Sequence, residues 1–156
     1  MDLPPFAGRN EPIGAETPAN TVPIQRPARL RFASFSFQRQ PSGRGTAEVV
    51  LEKHDGTRFV GRIDGVSSAW ADLRLAAEAT LRAIAEYNNN HRAFELVGVK
   101  SLRAFDANVV MVSVVGHRDG KAQQLLGCRI AEGDQLRSAV LATLQATNRV
   151  MSPGED

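Results

Sequence analysis

The sequence predicts an α+β domain made of one strand-strand-strand-helix unit used twice, and three observations carry that prediction. The segment Leu73-Arg74-Leu75-Ala76-Ala77-Glu78-Ala79-Thr80-Leu81-Arg82-Ala83 returns 63 positions later as Leu136-Arg137-Ser138-Ala139-Val140-Leu141-Ala142-Thr143-Leu144-Gln145-Ala146, with seven of eleven positions identical. The stretch before each copy also repeats: Asp55-Gly56 and then Gly61-Arg62-Ile63, against Asp119-Gly120 and then Gly127-Cys128-Arg129-Ile130. Short segments rich in β-branched and aromatic residues precede each copy, whereas the copies themselves carry apolar residues at helical spacing. Self-similarity at a fixed period means one supersecondary unit repeated. Antiparallel sheets with one buried face, covered by the two helices, give the α+β class.

Taken in order, Leu30 to Phe37 reads as a Phe-rich strand and Ala47 to Lys53 as a second. Asp55-Gly56 supplies a hairpin turn, since both residues tolerate positive φ, and Thr57 to Ile63 is the third strand. A helix follows over 68–87, with Trp70, Leu73, Ala77, Leu81 and Ile84 on its apolar side. Ser67 or Ser68 caps its start, and Asn88-Asn89-Asn90 ends it through the left-handed conformation that Asn accepts. The second unit runs through strands over 94–102, 108–117 and 122–130, with Asp119-Gly120 as its hairpin. Asp134 caps a helix over 135–151. The boundaries expected are a Pro-rich arm over 1–28, a domain over 29–151 (units 29–90 and 91–151) and a tail over 152–156. The arm holds six of the eight prolines and no hydrophobic period, so it is expected to stay extended or disordered.

At 156 residues, 42% hydrophobic and 23% charged, the chain has room for one self-sufficient core. A single cysteine excludes an internal disulfide and suggests a reducing compartment, the cytoplasm. Met1-Asp2-Leu3-Pro4-Pro5 lacks the basic start and apolar run of a secretory signal, and no apolar stretch is long enough to span a membrane. The net charge is +2 and the pI about 9.1, with a modest local excess at Arg26, Arg29, Arg31, Arg39 and Arg44.

Chemistry-bearing patterns are sparse. His54 and His117 sit beside the two hairpins and His91 follows the first helix, none at metal-ligand spacing from a Cys, Asp or Glu. Cys128, between Gly127 and Arg129, reads as a small buried strand residue. Asp106 falls in a turn, Asp134 is a helix cap, and Glu132 has no carboxylate partner. No catalytic residue, metal site or cofactor is expected, and the chain reads as a non-enzyme. The helices are rich in alanine, at 71, 76, 77, 79, 83 and 85 and again at 139, 142 and 146. Helix propensity with close packing inside the chain explains this, and so does a crowded subunit interface. Strand positions Val109, Val110, Met111, Val112, Val114 and Val115 give more apolar surface than one small domain needs to bury, which points to a homodimer.

The segment Leu125-Leu126-Gly127-Cys128-Arg129-Ile130-Ala131, followed by 136–149 ending in Asn148-Arg149, resembles a known module. It is similar to the C-terminal allosteric, dimer-forming domain of 2-isopropylmalate synthase and its citramalate synthase relatives. Asp106-Ala107 before an apolar strand is a second point of similarity. The resemblance covers 30–151 and implies a non-catalytic regulatory or assembly module, free of the synthase's catalytic barrel. It also implies a small amino- or keto-acid effector at an inter-repeat or dimer interface. The family's Gly-x-Gly-Pro turn is replaced here by Asp64-Gly65-Val66-Ser67-Ser68.

Backbone N–H groups at a helix start favour a carboxylate, so the expected ligand site is Gly65, Val66, Ser67 and Ser68, with Gly133 and Asp134 from the second unit. The bland alternative is that these residues are only caps. The expected partners are a second copy, a small carboxylate and a protein reached through the arm, with no membrane. A competing class is an RNA-binding α+β module whose Phe32, Phe35, Phe37 and Phe59 stack on bases; another is a non-catalytic subunit of a larger complex. Deleting 1–28 is expected to leave the melting temperature nearly unchanged. A loss above about 2 kcal/mol, the size of removing core contacts, would show that the arm is structural.

Overall fold

Period-two alternation decides which side of each sheet is buried, and it does so in the same way twice. The computed structural model describes residues 29–91 and 93–151; the expected arm, 1–28, and tail, 152–156, lie outside the described residues. Strands β1 (Arg31–Arg39), β2 (Arg44–Glu52) and β3 (Arg58–Val66) lead into helix α1 (Ala69–Tyr87). Strands β4 (Phe94–Ala104), β5 (Ala107–Arg118) and β6 (Lys121–Ile130) lead into α2 (Gln135–Asn148). Each set of strands forms an antiparallel meander in sequence order, so the fold is α+β with two βββα units. No helix among the described residues is long and apolar enough to cross a membrane.

On the inner face of the first sheet Ala47, Val49 and Leu51 are fully buried, with Phe35 opposite Val49 and Phe37 opposite Ala47. Val110, Val112 and Val114 occupy the same role in the second sheet. The first strand of each meander carries one irregularity, between Phe32 and Ser34 in β1 and between Leu96 and Gly98 in β4. An extra residue in a strand resets the alternation. Phe32 and Phe35, three apart, therefore both pack on the core, as do Leu96 and Val99. Phe32, Phe35, Phe37 and Phe59 are partly buried and all pack against the core cluster.

The helices lie unusually close to their sheets because a glycine sits beneath each. A Cβ at Gly61 would strike the Ala79 carbonyl oxygen and the Ala83 nitrogen; one at Gly127 would strike the Ala142 carbonyl oxygen and press on Ala146. Ala79 and Ala142, like Ala83 and Ala146, are equivalent under the 63-residue repeat. Ala76, Ala79, Ala83, Ala139, Ala142 and Ala146 are fully buried within the chain. Packing inside the chain therefore accounts for these six alanines, whereas Ala71 and Ala85 are only partly buried. Thr80 and Thr143, also equivalent, satisfy their buried hydroxyls by donating to the carbonyls of Ala76 (2.8 Å) and Ala139 (2.7 Å). The helices pack on one another, and each reaches the opposite unit, α1 against β4 and α2 against β1. Asn148 Nδ2 donates to the Leu30 carbonyl at 3.3 Å, and the Arg137 guanidinium lies 5.0 Å from the Phe32 ring centroid.

Turn chemistry differs between the units despite the shared Asp-Gly. Asp119 (φ 53°) and Gly120 (φ 76°) form a two-residue hairpin with both residues left-handed. Around Asp55-Gly56 only Gly56 is left-handed (φ 90°), in a longer loop. There Asp55 Oδ1 accepts from the Thr57 N–H at 2.9 Å, and that bond holds the carboxyl below its ordinary pKa. Asn89 (φ 58°) and Asn90 (φ 65°) end the first unit left-handed, as the sequence predicts. Strand β2 begins at Arg44 and β3 continues to Val66, each three residues beyond the sequence expectation, because Gly45 and Gly65 pair across the ladder.

Gly61→Ala and Gly127→Ala are each expected to cost about 2–3 kcal/mol by urea unfolding, since a methyl group meets helix backbone and the helix must move. Equal stability in either variant would show that the helix stands further off than its buried alanines indicate.

Candidate functional site

The turn that joins β3 to α1 is built around a buried carboxylate that the sequence reading did not single out. Ser68 is the helix N-cap, and its Oγ accepts from the Ala71 N–H at 3.1 Å. One turn into the helix, Asp72 folds back toward that start. Its Oδ1 accepts from the Ser67 hydroxyl at 2.7 Å and from the Ser68 N–H at 3.2 Å. Its Oδ2 takes both Nε (3.0 Å) and Nη2 (2.8 Å) of Arg39, from the end of β1. The Asp72 side chain is 2% exposed, whereas that of Arg39 is 64% exposed and lies over the Phe37 ring at 5.2 Å. A buried carboxylate is tolerable only when charge-paired and hydrogen-bonded, and both conditions are met here.

The expected ligand residues have definite places in this arrangement. Gly65 lies within β3, paired with Gly45, and a Cβ there would come 2.8 Å from Leu75 Cδ2, so its role is packing. Val66 points outward and is exposed. The Ser67 N–H donates to the Gly43 carbonyl at 2.9 Å, and its hydroxyl is taken by Asp72. Both functional groups of Ser67, and the N–H and hydroxyl of Ser68, are thus engaged within the protein.

Gly133 is left-handed (φ 103°), and Asp134 is the N-cap of α2, Oδ1 accepting from the Arg137 N–H at 3.1 Å. The Asp134 carbonyl takes both the N–H and the hydroxyl of Ser138, at 3.1 and 2.9 Å. No hydrogen bond or ion pair among the described residues joins this turn to the first. A reciprocal capping pattern is the sequence signal for Asp72: it follows Ser68 by four, one more than the usual capping-box spacing. The Arg39 partner, 33 residues away, has no local signal.

The remaining chemistry-bearing residues are dispersed. His54, His91 and His117 are exposed, Asp106 stands in the β4–β5 turn at φ 61°, and Glu132 is exposed. Cys128 departs from expectation: it is exposed on β6. Gly127 takes the inward position beneath α2, so the pleat sends Cys128 to the opposite face. No group of three or more His, Cys, Asp or Glu among the described residues is placed to hold a metal ion.

An open depression of about 450 Å³ lies along the β3 edge, lined by Val60, Arg62, Arg82, Ala85, Glu86 and Asn90. Its charged groups are bonded to the protein, with Glu86 accepting from the Val60 N–H, Arg82 donating to the Arg62 carbonyl at 3.4 Å and Arg62 facing Glu48 at 3.7 Å. The β6 edge is covered in the same manner, where the Cys128 N–H donates to Gln145 at 3.2 Å. Arg82 and Gln145 are equivalent under the repeat, so these contacts serve to blunt exposed strand edges.

No family model matches the chain, and no curated protein matches it.

Asp72→Ala is expected to lower stability by about 2–3 kcal/mol, since it strips two charged hydrogen bonds and a cap at once. Asp134→Ala, which removes one exposed cap, should cost about 1 kcal/mol. Equal losses in the two variants by urea unfolding would contradict the role given to Asp72.

Proposed function

We propose that this chain is a non-catalytic regulatory or assembly module that works as a homodimer, of the kind the C-terminal domain of 2-isopropylmalate synthase represents. The observation that carries the reading is strand β5. Its Val110, Val112 and Val114 are fully buried inside the chain, yet Val109, Met111 and Val115 on the opposite side are apolar as well. A strand largely apolar on both faces, with Ser113 as the polar exception on the outer one, suits a sheet that is covered on both faces, and the described residues cover one. The repeated βββα plan, with equivalent glycine–alanine contacts in both units, supports the same reading.

An amino- or keto-acid effector fits this function at an inter-repeat or dimer interface. At Ser67 and Ser68 such a ligand would have to displace the Asp72 carboxylate, which already occupies those donors. An RNA-binding role draws no support from the aromatic residues, which pack inward.

Light scattering at micromolar concentration is expected to give about 34 kDa, twice the 16.9 kDa of the chain. A mass near 17 kDa throughout would remove the assembly reading. Any thermal shift with branched-chain amino acids or 2-keto acids is expected to survive the Ser67→Ala/Ser68→Ala pair. Loss of the shift in that pair would instead put the effector at this turn.

A further inference from the structure

We propose that the outer face of the second sheet is where a second copy of this chain docks, sheet against sheet. This rests on the assembly reading above and narrows it to one surface and one occupant.

The two units act as controls for each other. Their inner faces solve the same packing problem with equivalent residues, so their outer faces would be alike if both met only water. They are not alike. The outer face of the first sheet alternates Glu48, Glu52, Arg58, Arg62 and Asp64 with Val50, Val60 and Val66, and ion pairs Arg62–Glu48 (3.7 Å) and Arg58–Glu52 (3.6 Å) cross it. The outer face of the second presents Leu102, Val109, Met111, Val115, Leu126 and Ile130, with Ser113 and Gln124 as a hydrogen-bonded polar pair among them. Leu102, Val109 and Ile130 form one cross-strand row. Leu126 and Ile130 are exposed, as is Val97 at the β4 irregularity.

At the end of the same sheet, Phe105 stands fully exposed on the β4–β5 hairpin with φ 52°. Bulky residues rarely adopt that conformation, and a strained, solvated aromatic at a loop tip is a feature that contact with a partner accounts for.

Area and charge choose the occupant. Three strands about 4.8 Å apart and some ten residues long make a face of roughly 14 by 33 Å, so two copies together cover about 900 Å² of flat area, to which side-chain relief adds. That is the lower end of the size a specific interface requires. Two ionic side chains, Glu95 and Lys100, stand within this face opposite Val115 and Met111, both exposed on β4 and on either side of its irregularity. A two-fold axis crossing β4 between them sets Glu95 of one copy against Lys100 of the other, twice per dimer. The face is therefore self-complementary, as an isologous interface must be. The first 28 residues, with six prolines and no alternating pattern, offer no such match to a pleated surface.

The test uses the full chain and a matched pair of substitutions. Leu126 and Val60 occupy equivalent positions beside Gly127 and Gly61, and each is 46% exposed. By sedimentation, Leu126→Glu is expected to raise the dimer Kd about a hundredfold or more, while Val60→Glu leaves it unchanged; far-UV circular dichroism checks that both stay folded. Glu95→Lys and Lys100→Glu should each weaken the dimer, and the double exchange should restore it.

A benzophenone attached to Cys128, the only thiol, should crosslink one copy to another. A dimer indifferent to Leu126→Glu would overturn the face and leave the assembly reading standing, whereas a wild-type monomer would end both. Crosslinking from Cys128 into residues 1–28 of its own chain would give the arm as occupant and overturn the proposal.

Discussion

The close approach of helix backbone to strand backbone at Gly61 and Gly127 is the constraint on which the rest of the fold depends. Side chains normally hold a helix well away from a sheet, and a single Cβ at either glycine would push it out. Once the helix is that close, only alanine fits along the contact, which accounts for Ala79, Ala83, Ala142 and Ala146. Close helices also bring the two units together, so that each helix is covered by its own sheet, by the other helix and by a strand of the opposite unit. Little of either helix then remains for water, and buried hydroxyls such as Thr80 and Thr143 must bond to their own helix. The alanines are therefore a consequence of the glycines rather than an independent source of helix stability.

The repeat breaks at one place in the helical half of the unit, and the break explains Asp72. Five residues separate the cap Ser68 from Leu73, but only two separate the cap Asp134 from the equivalent Leu136. The first helix thus begins about one turn earlier. That extra turn carries Trp70, exposed, and Asp72, buried. Placing a carboxylate inside the domain would be costly alone, and three donors from two segments offset the cost: a hydroxyl, a backbone N–H and a guanidinium. The result ties the end of β1 to the start of α1. The second unit ties its helix start through Ser138 and Asp134 instead, without a buried charge.

The order and type of elements were legible because both periodicities are strong and because the chain repeats itself. Strand ends were less so. Asp64-Gly65-Val66 reads locally as a turn, yet it continues the ladder, since Gly65 faces Gly45 and leaves room for Leu75. Cys128 read as buried because its neighbours are apolar, although the inward place in that stretch belongs to the smaller Gly127. The helix-start turn read as an anion site for sound electrostatic reasons. What the sequence concealed is that Asp72 supplies the anion, with a partner in Arg39 that only the folded chain brings near.

Function is best sought where two units under the same folding demands nevertheless differ. Fold alone requires the glycines, the alanines, the inner valines and the caps, and the two units share these or substitute for them. It does not require paired charges across the outer face of one sheet and a largely apolar outer face on the other, nor a left-handed phenylalanine at one hairpin tip. Those differences cost solubility and local strain without improving the packing of the chain on itself, so folding gives no reason for them. Glycine or asparagine would relieve the strain at position 105, and a charge at Leu126 or Ile130 would improve solvation, while the core stayed as it is. That easier choices are not taken at several places on one surface argues for a contact made there, and the surface in question belongs to the second sheet.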